Sequence, residues 1–184
     1  MDFNEHSQIE GNHAFLSPSK YHWLNYNEDK LDQAYYAALA AQRGSELHIL
    51  AHDLIRLGVK LPDIPKTLNM YVNDAIGFRL KTEQILFYSV NCFGQADAIG
   101  FRSNKLRVHD LKTGLTPSSE RQLEVYAAIF CLEYRMNPFE MEFELRLYQN
   151  DSVSIFETDP DVIIHIMEKI RTFDKRIRAI REEM

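Results

Sequence analysis

Apolar residues recur every three or four positions in three stretches of the chain, which is the spacing of an amphipathic helix. The first stretch covers 43–57 and the last covers 159–181. Between them, Thr116 and Pro117 are a good N-cap and first-turn pair for a helix that continues to about residue 134. The last helix is expected to bury one stripe of side chains: Val162, Ile163, Ile166, Ile170, Phe173 and Ile177.

Strand patterns alternate with these helices. Residues 81–91 are rich in β-branched and aromatic side chains, and 95–101 and 105–111 are two short runs rich in apolar residues. Residues 139–149 alternate apolar with charged side chains, which predicts a half-exposed strand. The interval 68–78 fits a short helix or an extended segment, and the pattern does not decide between them.

The order helix, three-strand meander, helix, strand, helix predicts an α/β fold. The meander is antiparallel, and the last strand returns through a crossover helix, so the expected sheet is mixed and flanked by helices. Helix formers also occur in 13–24 and 31–42, where Ser17 and Pro18 offer an N-cap and a first-turn proline. The polar residues 1–13 are expected to form a mobile arm.

The hairpin at 95–111 brings two carboxylates together. If Ser103 and Asn104 form a two-residue loop, Asp97 lies directly across from Asp110. Opposed side chains in such a ladder have Cβ atoms about 4.5–5.5 Å apart, and like charges there repel. Lys112 shares the face of Asp110 because side chains alternate along a strand. Two acids, a lysine and the carbonyl of Leu111 at one end of a sheet predict a Mg²⁺ site that orients a water.

Composition narrows the class of protein. The 184 residues, 45% of them hydrophobic, suit one domain over 1–184. The sequence has neither a signal-peptide pattern nor a long apolar run, so we expect a cytoplasmic protein without a membrane partner. The net charge of −6 indicates weak intrinsic affinity for nucleic acid, or help from a partner. The basic residues of 169–181 are either a solvated helix face or phosphate contacts.

Five short motifs give a more specific indication. Asp97, then Asp110-Leu111-Lys112, then a glutamine and a tyrosine at 122 and 126, resemble the GxxD, DxK and QxxxY motifs of the PD-(D/E)XK nuclease superfamily in its RecB-type branch. Upstream, the segment GSELH at 44–48 resembles that branch's histidine motif, and FLSPS at 15–19 resembles its N-terminal opening. The matches occur in family order over residues 15–126.

The resemblance implies a restriction-endonuclease-like core and a set of site residues. The implied ligands of Mg²⁺ or Mn²⁺ are His48, Asp97, Asp110, the Leu111 carbonyl and, unless it is a solvated acid at the start of its strand, Glu83. The implied catalytic residues are Asp97, Asp110, Lys112, Gln122 and Tyr126, and the implied nucleic-acid contacts are Ser17, Ser19, Gln122 and Tyr126. The relatives' iron–sulfur cluster needs four cysteines, and the chain has two.

Alternatives remain open for several of these residues. Gln122 could instead cap its helix at the Ser119 amide while Tyr126 is a core residue. A zinc site on His48 and His52, one helical turn apart, is disfavoured because the HExxH pattern is missing.

Three functions follow from different classes of protein. The first is a metal-dependent deoxyribonuclease, such as a phage-type exonuclease in recombination or repair, with DNA and a recombination or annealing protein as partners and an oligomer possible. The second is a nuclease-fold subunit or DNA-binding module of a larger repair or CRISPR-type complex. The third is a small acidic interaction protein whose motif match is chance.

Overall fold

A computed structural model describes residues 6–114, 116 and 118–183. The chain divides between Arg43 and Gly44 into two compact units. Three short 3-10 helices cover Ser7–Ile9, Pro18–Asn25 and Pro138–Glu140. The helices are α1 (Glu28–Leu57), α2 (Thr67–Phe78), α3 (Arg121–Tyr134) and α4 (Pro160–Glu182), and the strands are β1 (Lys81–Ser89), β2 (Cys92–Arg102), β3 (Lys105–Leu111), β4 (Glu142–Gln149) and β5 (Ser152–Phe156).

The five strands form one mixed sheet in the order β1-β2-β3-β4-β5. The first three are an antiparallel meander, α3 crosses over to β4, which pairs parallel with β3, and β5 pairs antiparallel with β4. The α/β class and the mixed sheet are therefore as predicted. The fifth strand is an addition: Asn150 and Asp151, both at positive φ, form a tight turn that returns the chain along β4.

One face of the sheet packs against α3 and α4. Alternate residues of β3 and β4 point to this side, and the crossover helix contributes a buried apolar stripe, as the sequence pattern predicts. The core members from these three elements are Leu106, Val108, Leu123, Ala127, Phe130, Phe143, Leu145 and Leu147. This core holds the strand ends that carry the site in fixed register.

The opposite face packs against α2 and the end of α1. Ala51 and Ile55 of α1 and Tyr71, Val72 and Ala75 of α2 are buried against Leu80, Ala98, Leu111 and Tyr148. The interval 68–78, undecided from sequence, is therefore helical, because it has a buried apolar stripe to pack on the sheet.

The prediction that β4 has one wet face is wrong. Its polar side lies under α2, where the Arg146 guanidinium contacts Asp74 Oδ2 at 2.8 Å and Glu144 Oε1 at 2.9 Å. Arg107 contacts the same Glu144 oxygen at 3.1 Å, and the Tyr148 hydroxyl donates to Asp74 Oδ2 at 2.7 Å. These paired charges replace water as the partners of the polar face.

Two helix predictions also need correction. The crossover helix begins at Arg121, and Thr116 lies before it in the connecting loop, while Pro117 is outside the described residues. In α4, Asp159 is the N-cap and accepts from the Asp161 amide at 2.9 Å, and of the predicted buried stripe Phe173 and Ile177 are exposed. Beyond Met167 the buried side chain of the helix is Asp174.

The first unit ends at Arg43 and contains two of the 3-10 helices. Of the arm predicted over 1–13, residues 1–5 lie outside the described residues, and Ser7–Ile9 form a 3-10 helix. Pro18 begins the next 3-10 helix as predicted, although Ser17 makes no side-chain cap. No helix in the described part of the chain is long and apolar enough to cross a membrane.

Candidate metal and catalytic site

The β2–β3 hairpin has the register that the Ser103-Asn104 loop predicts. Arg102 pairs with Lys105, and the strand pairing continues to Ala98 and His109. Asp97 and Asp110 therefore occupy the next opposed positions. Both loop residues have positive φ, which is the conformation of a two-residue turn that matches strand twist. Local turn chemistry thus brings the two carboxylates to one edge of the sheet.

Asp97 is the most perturbed acid of this edge. Its Oδ2 accepts the Leu111 amide at 2.9 Å and lies 3.6 Å from His48 Nδ1. Burial raises the pKa of Asp97 to about 6, and the negative charge of Asp110 contributes to the rise. The Leu111 hydrogen bond and His48 oppose that rise. A carboxylate that is costly to ionise and has acidic neighbours gains most from a cation.

Ligand atoms of three residues converge beside Asp97. One oxygen or nitrogen from each of His48, Glu83 and Asp97 lies within 4.8 Å of the others. The set combines two carboxylates, which suit Mg²⁺ and Mn²⁺, with one imidazole, which is a ligand of transition-metal ions. The motif histidine and the strand-start glutamate therefore lie with Asp97, and the donor set fits a divalent cation.

Gly44 allows α1 to bring His48 to this position. A Cβ atom at Gly44 would lie 2.6 Å from Thr113 Oγ1, so with any other residue here the Thr113 side chain has to move. Glycine lets the helix approach the end of β3 without that shift. His48, one turn further along the same helix, then lies next to Asp97.

Glu83 lies opposite Asp97, because its neighbours Thr82 and Gln84 pair with Ala98 and Ala96. Its backbone φ is +53°, an unusual value for a non-glycine residue inside a strand. A strained residue of this kind costs on the order of 1–3 kcal/mol, and such residues cluster at functional sites. Its carboxylate accepts a hydrogen bond from the Gln95 side chain, which fixes the acid at the strand edge.

Asp110 begins a chain of polar contacts on the α3 side. Lys112 Nζ lies 2.9 Å from Asp110 Oδ2, donates to Oδ1 at 3.2 Å, and donates to Gln122 Oε1 at 2.8 Å. The Gln122 amide in turn donates to the Tyr126 hydroxyl at 3.3 Å. The four motif residues are thus connected. Gln122 uses its amide on Lys112 and Tyr126, and α3 has no side-chain N-cap, so the Ser119 capping box is not formed.

One oxygen of Asp110 lacks a hydrogen bond. The side chain is 4% exposed, and among the described residues Oδ2 is one of three buried polar side-chain atoms without a hydrogen-bond partner. The Lys112 ammonium lies 2.9 Å from this oxygen and supplies its counter-charge. Among the described residues the convergent ligand atoms belong to His48, Glu83 and Asp97, so Asp110 as a metal ligand stays a prediction.

Tyr126 closes the other end of the chain of contacts. Its hydroxyl donates to the Gln95 carbonyl at 2.7 Å. Burial raises the pKa of Tyr126, so the hydroxyl keeps its proton for this contact. A Cβ atom at Gly94 would lie 3.0 Å from the Tyr126 ring, so the glycine of the GxxD motif makes room for the tyrosine of the QxxxY motif.

The remaining predicted residues lie differently. The Leu111 amide donates to Asp97, whereas the atom predicted to bind the metal is the Leu111 carbonyl oxygen. His52 Nδ1 is 2.7 Å from Thr82 Oγ1, a structural contact that agrees with its exclusion as a zinc ligand. Ser17 and Ser19 belong to the first unit, where their hydroxyls are 2.9 Å apart. Their role as nucleic-acid contacts stays a prediction.

Sequence reasoning missed two residues of the site. Gln95 contacts both Glu83 and Tyr126, and its position two residues before Asp97 is the available signal. Tyr71 of α2 is 2% exposed, and burial raises its pKa, with further contributions from the charges of Asp97, Glu83 and Asp110. Only an assignment of 68–78 as a helix against the sheet could have revealed Tyr71.

Comparisons of the chain with protein-family models, with curated proteins and with solved structures find no match. The function is therefore inferred from the site residues and their geometry.

Proposed function

We propose that the chain is a divalent-metal-dependent deoxyribonuclease with a restriction-endonuclease-like core, of the RecB-type branch of the PD-(D/E)XK superfamily. One observation carries the proposal. Residues of four sequence motifs meet at one edge of the sheet. His48 lies against Asp97, and Asp110, Lys112, Gln122 and Tyr126 form a chain of contacts. A chance match of short motifs would give no reason for such convergence.

The residues that would hold the ion are His48, Glu83 and Asp97, with Asp110 beside them. The raised pKa of Asp97 and the convergence of three ligand atoms both support a cation here. When bound, Mg²⁺ or Mn²⁺ lowers the pKa of a coordinated water and neutralises charge on a phosphate.

Lys112 supplies the positive charge that the chain itself brings to the reaction. Its ammonium group has three protons, and two of them are directed to Asp110 and Gln122. The third can donate to a phosphate oxygen or hold a water for attack. Gln122 and Tyr126 act on the orientation of Lys112, because the glutamine contacts the ammonium group on one side and the tyrosine hydroxyl on the other.

The experiment is cleavage of end-labelled linear duplex DNA by the full chain in Mn²⁺, in Mg²⁺ and in chelator. We expect turnover that needs the metal, and a loss of about 10²–10³-fold for Lys112→Ala, since one donor to developing charge contributes this much. Lys112→Ala should keep the metal-induced rise in melting temperature, because lysine is not a ligand. Metal-dependent turnover that survives Asp110→Asn at the wild-type rate would remove this site from the reaction.

A second candidate is a nuclease-fold module that acts within a larger repair or recombination complex. It is favoured by the formal net charge of −6, which opposes strong autonomous binding to DNA. In this case the isolated chain gives no turnover, and adding an annealing or recombination protein restores it. The Asp110→Asn variant then distinguishes restored activity of this chain from activity of the partner.

A further inference from the structure

A cavity lies next to the site, past the carboxyl ends of two parallel strands. Its lining includes Lys112 and Thr113, which follow β3, and Asn150 and Asp151, which follow β4. The remaining walls come from α1 and the first turn of α2, and the volume is about 380 Å³. The crevice outside the carboxyl ends of parallel strands is where open α/β sheets bind their ligands.

Three apolar side chains line the cavity: Leu47 of α1, Leu68 of α2 and Leu111 of β3, of which Leu111 is 2% exposed. Thr67, Thr113 and Asn150 add polar groups to the lining, and the Thr67 hydroxyl is already hydrogen-bonded to Asp151. An apolar pocket with a few polar groups suits a flat heteroaromatic ring with hydrogen-bonding edges.

The charges of the cavity disfavour a phosphate. The positive charge of Lys66 is matched by Asp151, whose Oδ2 lies 2.6 Å away. The other oxygen of Asp151 accepts the Thr67 amide at 3.1 Å, so a carboxylate already occupies the start of α2. Lys112, the other cation in the lining, is paired with Asp110, and under the proposed function its remaining proton binds the phosphate at the catalytic site. An uncharged ligand therefore fits this cavity better than an anion.

We propose that this cavity binds the unpaired nucleobase of the nucleotide adjoining the phosphate at the candidate catalytic site. The inference rests on the proposed function for the identity of that nucleotide. Lys112 lines the cavity and also contacts Asp110 and Gln122, so a base in the cavity and a phosphate at Lys112 can belong to one nucleotide. The substrate class is then DNA whose nucleotide at the cleavage point has left the stack, as at a frayed end or a single strand.

The first test uses deoxyadenosine and inorganic phosphate as probes of the full chain in chelator, where no cleavage occurs. Titration followed by methyl NMR should shift the resonances of Leu47, Leu68 and Leu111 with deoxyadenosine, through the ring current of the base. Inorganic phosphate should leave them unchanged. Shifts with phosphate and none with deoxyadenosine would overturn the proposal in favour of an anion site.

A variant pair tests the position. Leu68→Trp places a larger ring in the cavity and should weaken deoxyadenosine affinity at least 10-fold. Leu57→Trp, at a side chain that is 65% exposed and does not line the cavity, should leave the affinity unchanged. Equal affinities for wild type and Leu68→Trp would place the nucleoside elsewhere and contradict the assignment.

The last test compares the cleavage of an intact strand with that of an abasic strand. In the wild type, an abasic nucleotide at the cleavage point should lower kcat/KM about 10-fold relative to the intact strand. In Leu68→Trp the two strands should be cleaved alike. If wild type cleaves the abasic and intact strands with the same kcat/KM, the base-binding role is contradicted even when cleavage itself is confirmed. If the chain cleaves nothing, the proposed function fails, and the binding test in chelator still decides whether the cavity takes a base.

Discussion

Replacing Asp97 by asparagine should stabilise the metal-free protein. Asparagine has nearly the same shape, and its Oδ1 can still accept the Leu111 amide, so the substitution removes the charge and keeps the contact. The side chain of Asp97 is 19% exposed, so its charge is poorly solvated in the folded chain.

The magnitude follows from the pKa of Asp97, which burial raises from 3.8 to about 6. Because the folded pKa is above the unfolded one, the stability contribution is fully present below pH 3.8 and is lost as the pH rises through 6. At pH 8 the ionised carboxylate therefore costs about 3 kcal/mol, and at pH 5 the cost is about half as large. Asp97→Asn should recover these amounts.

The assay is thermal unfolding of wild type and Asp97→Asn in chelator at pH 8 and pH 5. For a chain of this size, 3 kcal/mol corresponds to about 6–12 °C in Tm. In Mn²⁺ at about 1,000 times Kd the order should reverse, because the ion then stabilises a chain that binds it by about 4.1 kcal/mol, which is more than the difference of about 3 kcal/mol, and the variant loses a ligand.

The control is Asp63→Asn, at an exposed acid in the loop before α2, which should change Tm little at either pH. The reasoning is refuted if Asp97→Asn melts below wild type in chelator at pH 8. That result would mean that the neighbours of the carboxylate stabilise its charge and that the site has no need of a cation.

Three further outcomes follow from the structure. His48→Ala should weaken Mn²⁺ affinity in calorimetric titration, whereas His52→Ala on the next turn should not, and equal affinities would remove His48 from the ligand set. Burial lowers the pKa of His109 to about 3, so its stability contribution is present above the unfolded pKa of about 6.5 and is lost as the pH falls. When the pH falls from 7.5 to 5, wild type should therefore lose about 2 kcal/mol of unfolding free energy that His109→Phe does not lose. Equal pH dependence of the unfolding free energy in the two proteins would contradict this. Gly44→Ala should lower stability by up to about 2 kcal/mol, since overpacking costs about 1–3 and the better helix propensity returns about 1 kcal/mol. Adding Thr113→Ala to Gly44→Ala should restore the lost stability. If Gly44→Ala alone raises Tm, the Thr113 side chain does not crowd position 44.

The hairpin could be predicted because its information is local. Ser103 and Asn104 both adopt positive φ, and a two-residue turn fixes the pairing of every residue that follows. The position of Asp97 opposite Asp110 follows from that turn alone. The same logic applies to Asn150 and Asp151, whose turn starts β5, so this strand was detectable in the sequence although it was not predicted.

Other features depend on tertiary packing and could not be predicted. The polar alternation of β4 suggests a solvated face, but α2 covers that face and brings Asp74 to Arg146. The stripe of α4 fails for a related reason, since an apolar pattern does not reveal where a partner surface ends and Phe173 becomes exposed. The first turn of α3 begins at Arg121 and not directly after Thr116, so a local N-cap pattern did not locate the start of this helix.

The candidate site shows the same division. The motif residues Asp110, Lys112, Gln122 and Tyr126 could be singled out from sequence, and their mutual contacts agree with a common role. Tyr71 could not, because its proximity to three carboxylates depends on how α2 packs against the sheet.

The most direct measurement is a crystal structure of the full chain with Mn²⁺, with anomalous differences recorded for the ion. We predict one peak bounded by His48, Glu83 and Asp97, and its loss in Asp97→Asn. A well-ordered site with no peak at saturating Mn²⁺, or a peak that remains unchanged in the variant, would contradict the claim that this edge of the sheet is a metal centre.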